Sequence, residues 1–403
     1  MTVSKYDVII LGAGASGLMA ALRAGQRGLK VLLLDRAEQV GSKILVSGGG
    51  RCNFTNRHIA PDRYISHNPH FCLSALKGYT QHDFMALVEK HKIAYHEKTL
   101  GQLFCDASSS DIVSLLLEEC LAAHVDIRLE QQIQAVEKSD VFQVETEAEV
   151  FHALSLILAT GGLSIPKIGA TNFSHKVASH FGLAVTETRP ALVPLVFTGE
   201  TLELMKSLSG VSLEVIVTCG KRSFRESMIF THRGLSGPAI LQISSYWREG
   251  QPLSINFLPD SEVETFLLDR KKSRPKAGLK TILGEVLPKR LVQGLVEDHF
   301  PPSPMGELSH KNLKAVATLL GAWTVLPTGT EGYAKAEVTL GGVSTHELNS
   351  KTMEAKKVRG LYVIGEALDV TGWLGGYNLQ WAWSSGWAAG SAMALSPMSG
   401  KSI

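Results

Sequence analysis

The run Gly12-Ala13-Gly14-Ala15-Ser16-Gly17 constrains this chain more than any other stretch, because it falls between an apolar run, Asp7 to Leu11, and a small-residue stretch, Ala15 to Arg27, suited to a tightly packed helix. A second apolar run, Val31 to Leu34, ends in Asp35, eighteen residues beyond Gly17. Strand, glycine turn, helix, strand and acid in that order form a dinucleotide fingerprint. Gly12 permits the tight turn, Gly14 lets backbone approach a pyrophosphate, and Gly17 allows the helix to pack closely on the sheet. The helix N-terminus offers free N–H groups to the phosphates, and Asp35 can accept hydrogen bonds from an adenosine ribose while disfavouring a 2'-phosphate. The fingerprint serves FAD and NAD alike.

Two further buried strands are expected to end on glycine: Leu154 to Ala159 before Thr160-Gly161-Gly162, and Leu361 to Ile364 before Gly365. Between about Pro190 and Gly332 the texture changes. Alternation at Val211, Leu213, Val215, Val217 and at Leu253, Ile255, Phe257 reads as half-buried antiparallel strands. Helical spacing follows at Val263 to Leu268, Leu279 to Leu295 and Leu313 to Trp323, with Pro288 breaking or kinking the middle helix. The expected layout is α/β: a discontinuous Rossmann-type domain of residues 1–190 and 333–403, interrupted by an insert of residues 191–332 that is β-rich and then helical. A chain of 403 residues is too long for one ordinary core, and 44% apolar residues with 38 glycines suit a compact enzyme.

A formal charge of +2 announces no nucleic-acid or membrane partner by itself. The five cysteines, Cys52, Cys72, Cys105, Cys120 and Cys219, are scattered without zinc or dithiol spacing, which points to no metal and to a reducing cytoplasm. The apolar run Val8 to Leu11 is too short for a signal-peptide core, and the stretch Leu379 to Leu395 falls short of a bilayer span and reads as a buried helix.

Two more segments look ligand-facing. Lys43-Ile44-Leu45-Val46-Ser47-Gly48-Gly49-Gly50-Arg51-Cys52-Asn53 makes a poor core but a good loop against a ligand: Arg51 can hold phosphate or the edge of a ring, and Asn53 can bond a cofactor carbonyl. Val363-Ile364-Gly365-Glu366 runs into a turn, followed by Gly372 through Gly376 and a helix from Asn378. Trp373, Trp381, Trp383 and Trp387 read as core aromatics.

Taken together, GAGASG, SGGGRCNFTN at Ser47 to Asn56, ATGG at Ala159 to Gly162, FTHRGLSGP at Phe230 to Pro238, TLGGV at Thr339 to Val343 and GEALDVTGWLGGYNLQWAWSSG at Gly365 to Gly386 resemble the BaiN/RdsA (YhiN-like) family of FAD-dependent oxidoreductases over nearly the whole chain. The resemblance implies FAD, with the Gly365-Glu366 turn at the ribityl-phosphate region and the last helix approaching the flavin ring. The cofactor set it implies comprises Gly12, Gly14, Ala15, Ser16, Gly17, Asp35, Arg36, Lys43, Ser47, Gly49, Gly50, Arg51, Asn53, Thr160, Gly161, Gly365, Glu366, Gly376, Asn378 and Leu379. The variant GQLFCD at Gly101 to Asp106 resembles the subgroup that reduces a uridine of 23S rRNA to dihydrouridine, whereas other members act on activated double bonds of steroid-like molecules.

Either substrate implies hydride from reduced flavin to an electron-poor carbon, C6 for uridine, and a proton to its neighbour, C5, with NADH or NADPH as transient hydride donor. Cys105 and Cys52 are the candidate proton donors, Cys105 slightly preferred, and His232 is a weaker one. An RNA partner, 23S rRNA or a large-subunit assembly intermediate, needs a basic approach surface. Arg270, Lys271, Lys272, Arg274, Lys276, Lys280, Lys289 and Arg290, opposed by Glu285, supply a candidate. Three alternatives compete: a small-molecule enone reductase, a non-catalytic flavoprotein that helps ribosome assembly, and a simple NAD dehydrogenase.

Overall fold

The computed structural model describes residues 4–297, 300 and 302–393. The chain divides into two compact units, Met1–Arg189 with Val338–Ile403, and Pro190–Glu337.

The first unit is built on a Rossmann-type sheet. Asp126–Arg128, Val31–Leu34, Ser4–Leu11 and Val150–Leu158 lie side by side in parallel. The far edge of Val150–Leu158 is shared. Its first half pairs antiparallel with Phe142–Thr146, which continues to Ile133–Lys138, and its last residues pair in parallel with Leu361–Val363. Val31 to Leu34 and Val8 to Leu11 are buried throughout, as expected of strands covered on both faces. The three strands read as ending on glycine are adjacent: Ala159 N donates to Leu11 O (2.8 Å) and Ile364 N to Leu158 O (3.1 Å). Their C-terminal ends therefore lie together at one edge of the sheet, the edge at whose crevice open α/β sheets take their ligands.

Two helices lie against each other beside this sheet. Ala15–Gln26 packs on Tyr377–Ala392, and Gly386 and Gly390, one turn apart, make the close approach possible. A Cβ on Gly386 would lie 2.5 Å from Ser16 O, and one on Gly390 2.7 Å from Ala20 O. Trp381 Nε1 donates to Gly365 O (3.0 Å), Trp383 Nε1 to Phe54 O (2.9 Å), and Trp383 stacks on Phe84 at 4.4 Å. These rings tie the last helix to the site's backbone and leave no edge for chemistry. The helix starts at Tyr377, and residues 394 and 395 of the stretch read as helical lie outside the described residues.

The insert carries a seven-stranded sheet in the order Trp323–Val325, Leu253–Asn256, Ser212–Cys219, Arg222–Thr231, Gly234–Ser236, Leu195–Val196, Gly329–Thr330, antiparallel throughout. Val215 and Val217 are buried and Glu214 exposed, the alternation expected of a sheet with one covered face. The helices differ from expectation in two places. The segment from Leu279 breaks into Leu279–Leu283 and Lys289–Val292, the chain leaving the helix already at Gly284, four residues before Pro288. The last helix, His310–Gly321, stops short of Trp323, whose backbone opens a strand pairing with Ile255. No helix among the described residues is long and apolar enough to cross a membrane.

Candidate cofactor and active site

The fingerprint glycines divide into two kinds. A Cβ on Gly17 would stand 1.8 Å from Gly12 O, and one on Gly12 2.5 Å from Ala159 O, so these two lock turn, helix and neighbouring strand together. Gly14, the residue preceding the helix, has nothing within 4 Å of its Cβ position and faces open space. The first-turn N–H groups of Ala15, Ser16 and Gly17 have no partners within the helix and can receive phosphate oxygens. Asp35 braces the loop: its Oδ2 accepts from Ala13 N (2.6 Å) and its Oδ1 from Ala37 N (2.9 Å). A carboxylate retains further lone pairs for a ribose. Arg36 is exposed and donates to Gly169 O.

Beside the crevice lies a node of charge. Glu366 takes Lys43 Nζ at 2.6 Å on one oxygen, and Ser164 Oγ (2.9 Å) and Thr339 N (2.8 Å) on the other, while Lys43 also donates to Ser164 Oγ (2.7 Å). Burial works to raise the Glu366 pKa, but the Lys43 charge and the hydrogen bonds from Lys43, Ser164 and Thr339 outweigh it and hold the carboxyl below its ordinary value. Gly161 stands 3.8 Å from Glu366 by its Cβ position, and Thr160 Oγ1 is bonded to Ser174 Oγ (2.6 Å). Gly365 has φ +64°, and a Cβ there would lie 2.5 Å from Ser16 Oγ, so this turn touches the fingerprint helix directly. His175 bonds the Ala367 backbone, burial pushes its pKa down, and its Nε2 has no hydrogen-bond partner.

The triple-glycine loop follows the short helix Ser42–Val46. Gly49 and Gly50 present open space where a Cβ would be, whereas one on Gly48 would strike the Phe104 ring at 2.8 Å. The loop is anchored from behind by Ser109 N to Gly50 O (2.8 Å), Cys105 N to Arg51 O (3.0 Å) and Ser47 Oγ to Ile44 O (2.7 Å). The exposed Arg51 side chain makes no ion pair or hydrogen bond among the described residues, which leaves its guanidinium available to an anion or carbonyl.

Asn53 and Asn378 work on the protein's own backbone. Oriented by its hydrogen-bond pattern, the Asn53 amide donates to Leu103 O and Thr55 O and accepts from Gly376 N, each at 3.1 Å. Asn378 accepts from Gly372 N (2.8 Å) and donates to Gly372 O (2.9 Å) and Trp373 O (3.2 Å). Both therefore shape the 372–376 loop. Leu379 packs half-buried against the core.

Cys52 and Cys105 have no exposed surface. Burial pushes the Cys52 thiol up to about 12. Burial, with the Asp111 and Asp106 charges, takes Cys105 to about 12 as well. Both are neutral thiols packed in the core, each with a proton and no open face from which to pass it.

In the insert, His232 is exposed in the turn between Arg222–Thr231 and Gly234–Ser236. Several residues of the basic run hold their own unit together. Arg274 pairs with Glu285 (2.5 Å), Lys271 Nζ donates to Leu308 O (2.5 Å), Arg290 donates to Ser207 O and Ser209 O, and Arg270 lies 5.3 Å over the Phe266 ring. Lys272, Lys276 and Lys289 are exposed. Among the described residues no group of three or more His, Cys, Asp or Glu could hold a metal ion.

Sequence reasoning missed Ser164, His175, Asp369 and His67, and gave Thr339 no task although it opens the TLGGV motif. Their signal is spatial: Ser164 reaches Glu366 across 202 residues of chain and His67 reaches Asp369 across 302.

The chain matches the family described as HI0933-like protein Rossmann domain over residues 6–392. It is 51% identical over 389 residues to the ribosomal RNA dihydrouridine synthase of Escherichia coli K12, covering 96% of this chain and 97% of that one. The Haemophilus influenzae protein of the same name is 46% identical over 399 residues, covering 96% and 98%. The 3-dehydro-bile acid delta(4,6)-reductase of Clostridium scindens is 30% identical over 412 residues, covering 96% and 99%. Among solved structures, a quinol-fumarate reductase with menaquinol shares the fold at a TM-score of 0.50 and 16% identity, over 97% of this chain and 71% of that one. The chain belongs to the HI0933-like Rossmann-domain family.

Proposed function

We propose that this protein is an FAD-dependent reductase that converts a uridine of 23S rRNA, within the large subunit or an assembly intermediate, to 5,6-dihydrouridine in the cytoplasm. The observation that carries the reading is 51% and 46% identity over 96% of the chain to two ribosomal RNA dihydrouridine synthases. Supporting FAD, the Cβ positions of Gly14, Gly49 and Gly50 meet open space, and Lys43, Glu366 and Arg51 supply polar groups that would hold the cofactor's pyrophosphate, ribityl chain and ring. Bound there and reduced by NADH or NADPH, FAD supplies a hydride to the electron-poor carbon of a conjugated double bond, C6 of uracil. Arg51 holds an anionic or carbonyl oxygen at the cofactor, and Asn53 and Asn378 keep the glycine loop in shape. Exposed Lys272, Lys276 and Lys289 serve as contacts to the RNA backbone.

A second reading, reduction of a small-molecule enone, is favoured by the 30% identity to the bile-acid reductase over the full chain. Mass spectrometry of nucleosides from large-subunit rRNA separates the two. Cells lacking the gene are expected to lose dihydrouridine and regain it with the intact gene. An unchanged nucleoside profile would overturn the RNA reading, and turnover of free enones by NAD(P)H without RNA would then establish the second. RNA association that survives loss of all reductase activity, with growth intact, would identify a non-catalytic assembly factor.

A further inference from the structure

We propose that His67, oriented by the buried carboxylate of Asp369, is the proton donor of this reductase, and that Arg63 positions the substrate oxygen beside it. The proposal rests on the reductase reading above, not on which unsaturated substrate is reduced.

The geometry comes from one short ribbon. Tyr64–Ile65 pairs antiparallel with Thr371–Gly372, Thr371 opposite Ile65 and Gly372 opposite Tyr64. Further contacts flank both ends. Trp373 N donates to Arg63 O (3.0 Å) with the Arg63 guanidinium 4.4 Å above the Trp373 ring, and His67 N donates to Asp369 Oδ2 (2.9 Å). Ile65 and Thr371, directly opposed, share one face of the ribbon, and the Arg63–Trp373 and His67–Asp369 contacts stand at its two ends. Tyr64 takes the other face: it is buried, and its hydroxyl donates to Tyr377 O (3.0 Å). The ribbon joins the two segments assigned to the cofactor, Asp369 lying three residues after Glu366 and Thr371 immediately before the Gly372–Gly376 loop.

The His67–Asp369 pair has the form of an acid. Asp369 is 3% exposed in its side chain and accepts from His67 Nδ1 at 2.8 Å, whereas the His67 side chain is 69% exposed. A carboxylate only accepts, so the proton on Nδ1 is fixed and Nε2 is the nitrogen left to exchange with a substrate. The buried carboxylate orients the ring. At the other end of the ribbon the Arg63 side chain is 39% exposed, its Nε lies 3.8 Å from Asp62 Oδ1, and the exposed part of its guanidinium suits a carbonyl oxygen gaining negative charge. The buried thiols of Cys52 and Cys105 offer no comparable outlet.

The step balances. Bound FAD would supply hydride to the β carbon, the electron pair of the C=C bond would move onto the carbonyl oxygen as an enolate, and Arg63 would hold that oxygen. The enolate pair then forms the C–H bond at the α carbon, C5 of uracil, as the Nε2–H bond breaks. Water returns a proton to the neutral imidazole.

The test uses His67→Ala, His67→Gln and Asp369→Asn in the FAD-loaded full chain, reduced and mixed in a single turnover with large-subunit rRNA from cells lacking the gene. FAD content by absorbance and RNA retention by filter binding are read alongside dihydrouridine. Both His67 variants are expected to keep FAD and RNA binding within about twofold and to lose about 10²–10⁴-fold in the rate of dihydrouridine formation, the usual worth of a general acid. Added imidazole restores part of the rate to His67→Ala, and Asp369→Asn falls between variant and parent. A His67→Ala rate within twofold of the parent, or a loss that tracks loss of FAD in both His67 variants, overturns the proposal. If the parent forms no dihydrouridine, the RNA reading has failed instead, and the same comparison is made with a steroid dienone, where an equal rate for parent and His67→Ala overturns the assignment.

Discussion

Gly14→Ala and Gly17→Ala separate the cradle's binding role from its packing role. At Gly14 the backbone has φ −83° and ψ −170°, a conformation alanine adopts freely, and nothing lies within 4 Å of the new methyl. Losing glycine at the residue before the helix costs roughly 0.5–1 kcal/mol, and the stiffer unfolded chain returns about 0.4–1 kcal/mol, so the cofactor-free protein should unfold within about 2–4 °C of the parent. Binding is different. A methyl protruding toward the pyrophosphate displaces it from the helix N-terminus and weakens about two charge-assisted hydrogen bonds, each worth about 1.5–3 kcal/mol, or two to four orders of magnitude in FAD affinity. At Gly17 the methyl carbon would sit 1.8 Å from Gly12 O, so the turn must retreat by more than an ångström. Overpacking of at least about 1–3 kcal/mol then exceeds the gain of about 1 kcal/mol in helix propensity. Thermal unfolding of the cofactor-free proteins and flavin titration by fluorescence quenching check both. Full FAD affinity in Gly14→Ala would refute the placement of the phosphates, and a stable Gly17→Ala would refute the packing argument.

Lys43→Met leaves the Glu366 carboxylate without its cation. The pair is 31% and 19% exposed, so the cost at neutral pH is about 1–3 kcal/mol, below that of a fully enclosed pair. In the parent the folded pKa of Glu366 lies under its ordinary 4.5, so its contribution is fully present above 4.5 and is lost as pH falls through the folded value. The deficit of Lys43→Met in cofactor-free protein should accordingly narrow below pH 4.5, and a pH-independent deficit in urea unfolding would contradict the charge argument. The five buried cysteines should resist iodoacetamide at neutral pH until the chain unfolds. Rapid native labelling at Cys105, together with loss of turnover but not of FAD in Cys105→Ala, would return that thiol to a chemical role.

Much of the candidate site was legible because glycines mark it. Three strands far apart in sequence each stop on a glycine turn, and the structure shows why: Leu11, Leu158 and Val363 end on neighbouring parallel strands. Side-chain roles were less legible. Asn53 and Asn378 look like ligand groups in a glycine-rich loop, yet their amides are consumed by backbone from distant or adjacent segments, which one-dimensional spacing does not disclose. Burial is likewise invisible for a short strand such as Gln102–Cys105, where Cys105 packs inward with 0% exposure. The basic run of the insert reads as a uniform surface but separates into residues spent on Glu285, Leu308 and Ser207 and residues left in water. The helix break at Gly284 was masked by the more conspicuous proline four residues on.

The pairing of Ala15–Gln26 with Tyr377–Ala392 also sets an order in time. The strand Leu361–Val363, the Gly365–Glu366 turn and the helix whose Gly386 and Gly390 receive the fingerprint helix are all synthesised after the insert. While a ribosome makes this protein, the fingerprint loop emerges before these segments and waits with one flank of its helix bare. The insert's sheet, closed by residues 195–330, can form in the meantime. Cofactor loading would therefore wait for residues 361–392, and a chain truncated ahead of Gly365 would carry the fingerprint with no pocket around it.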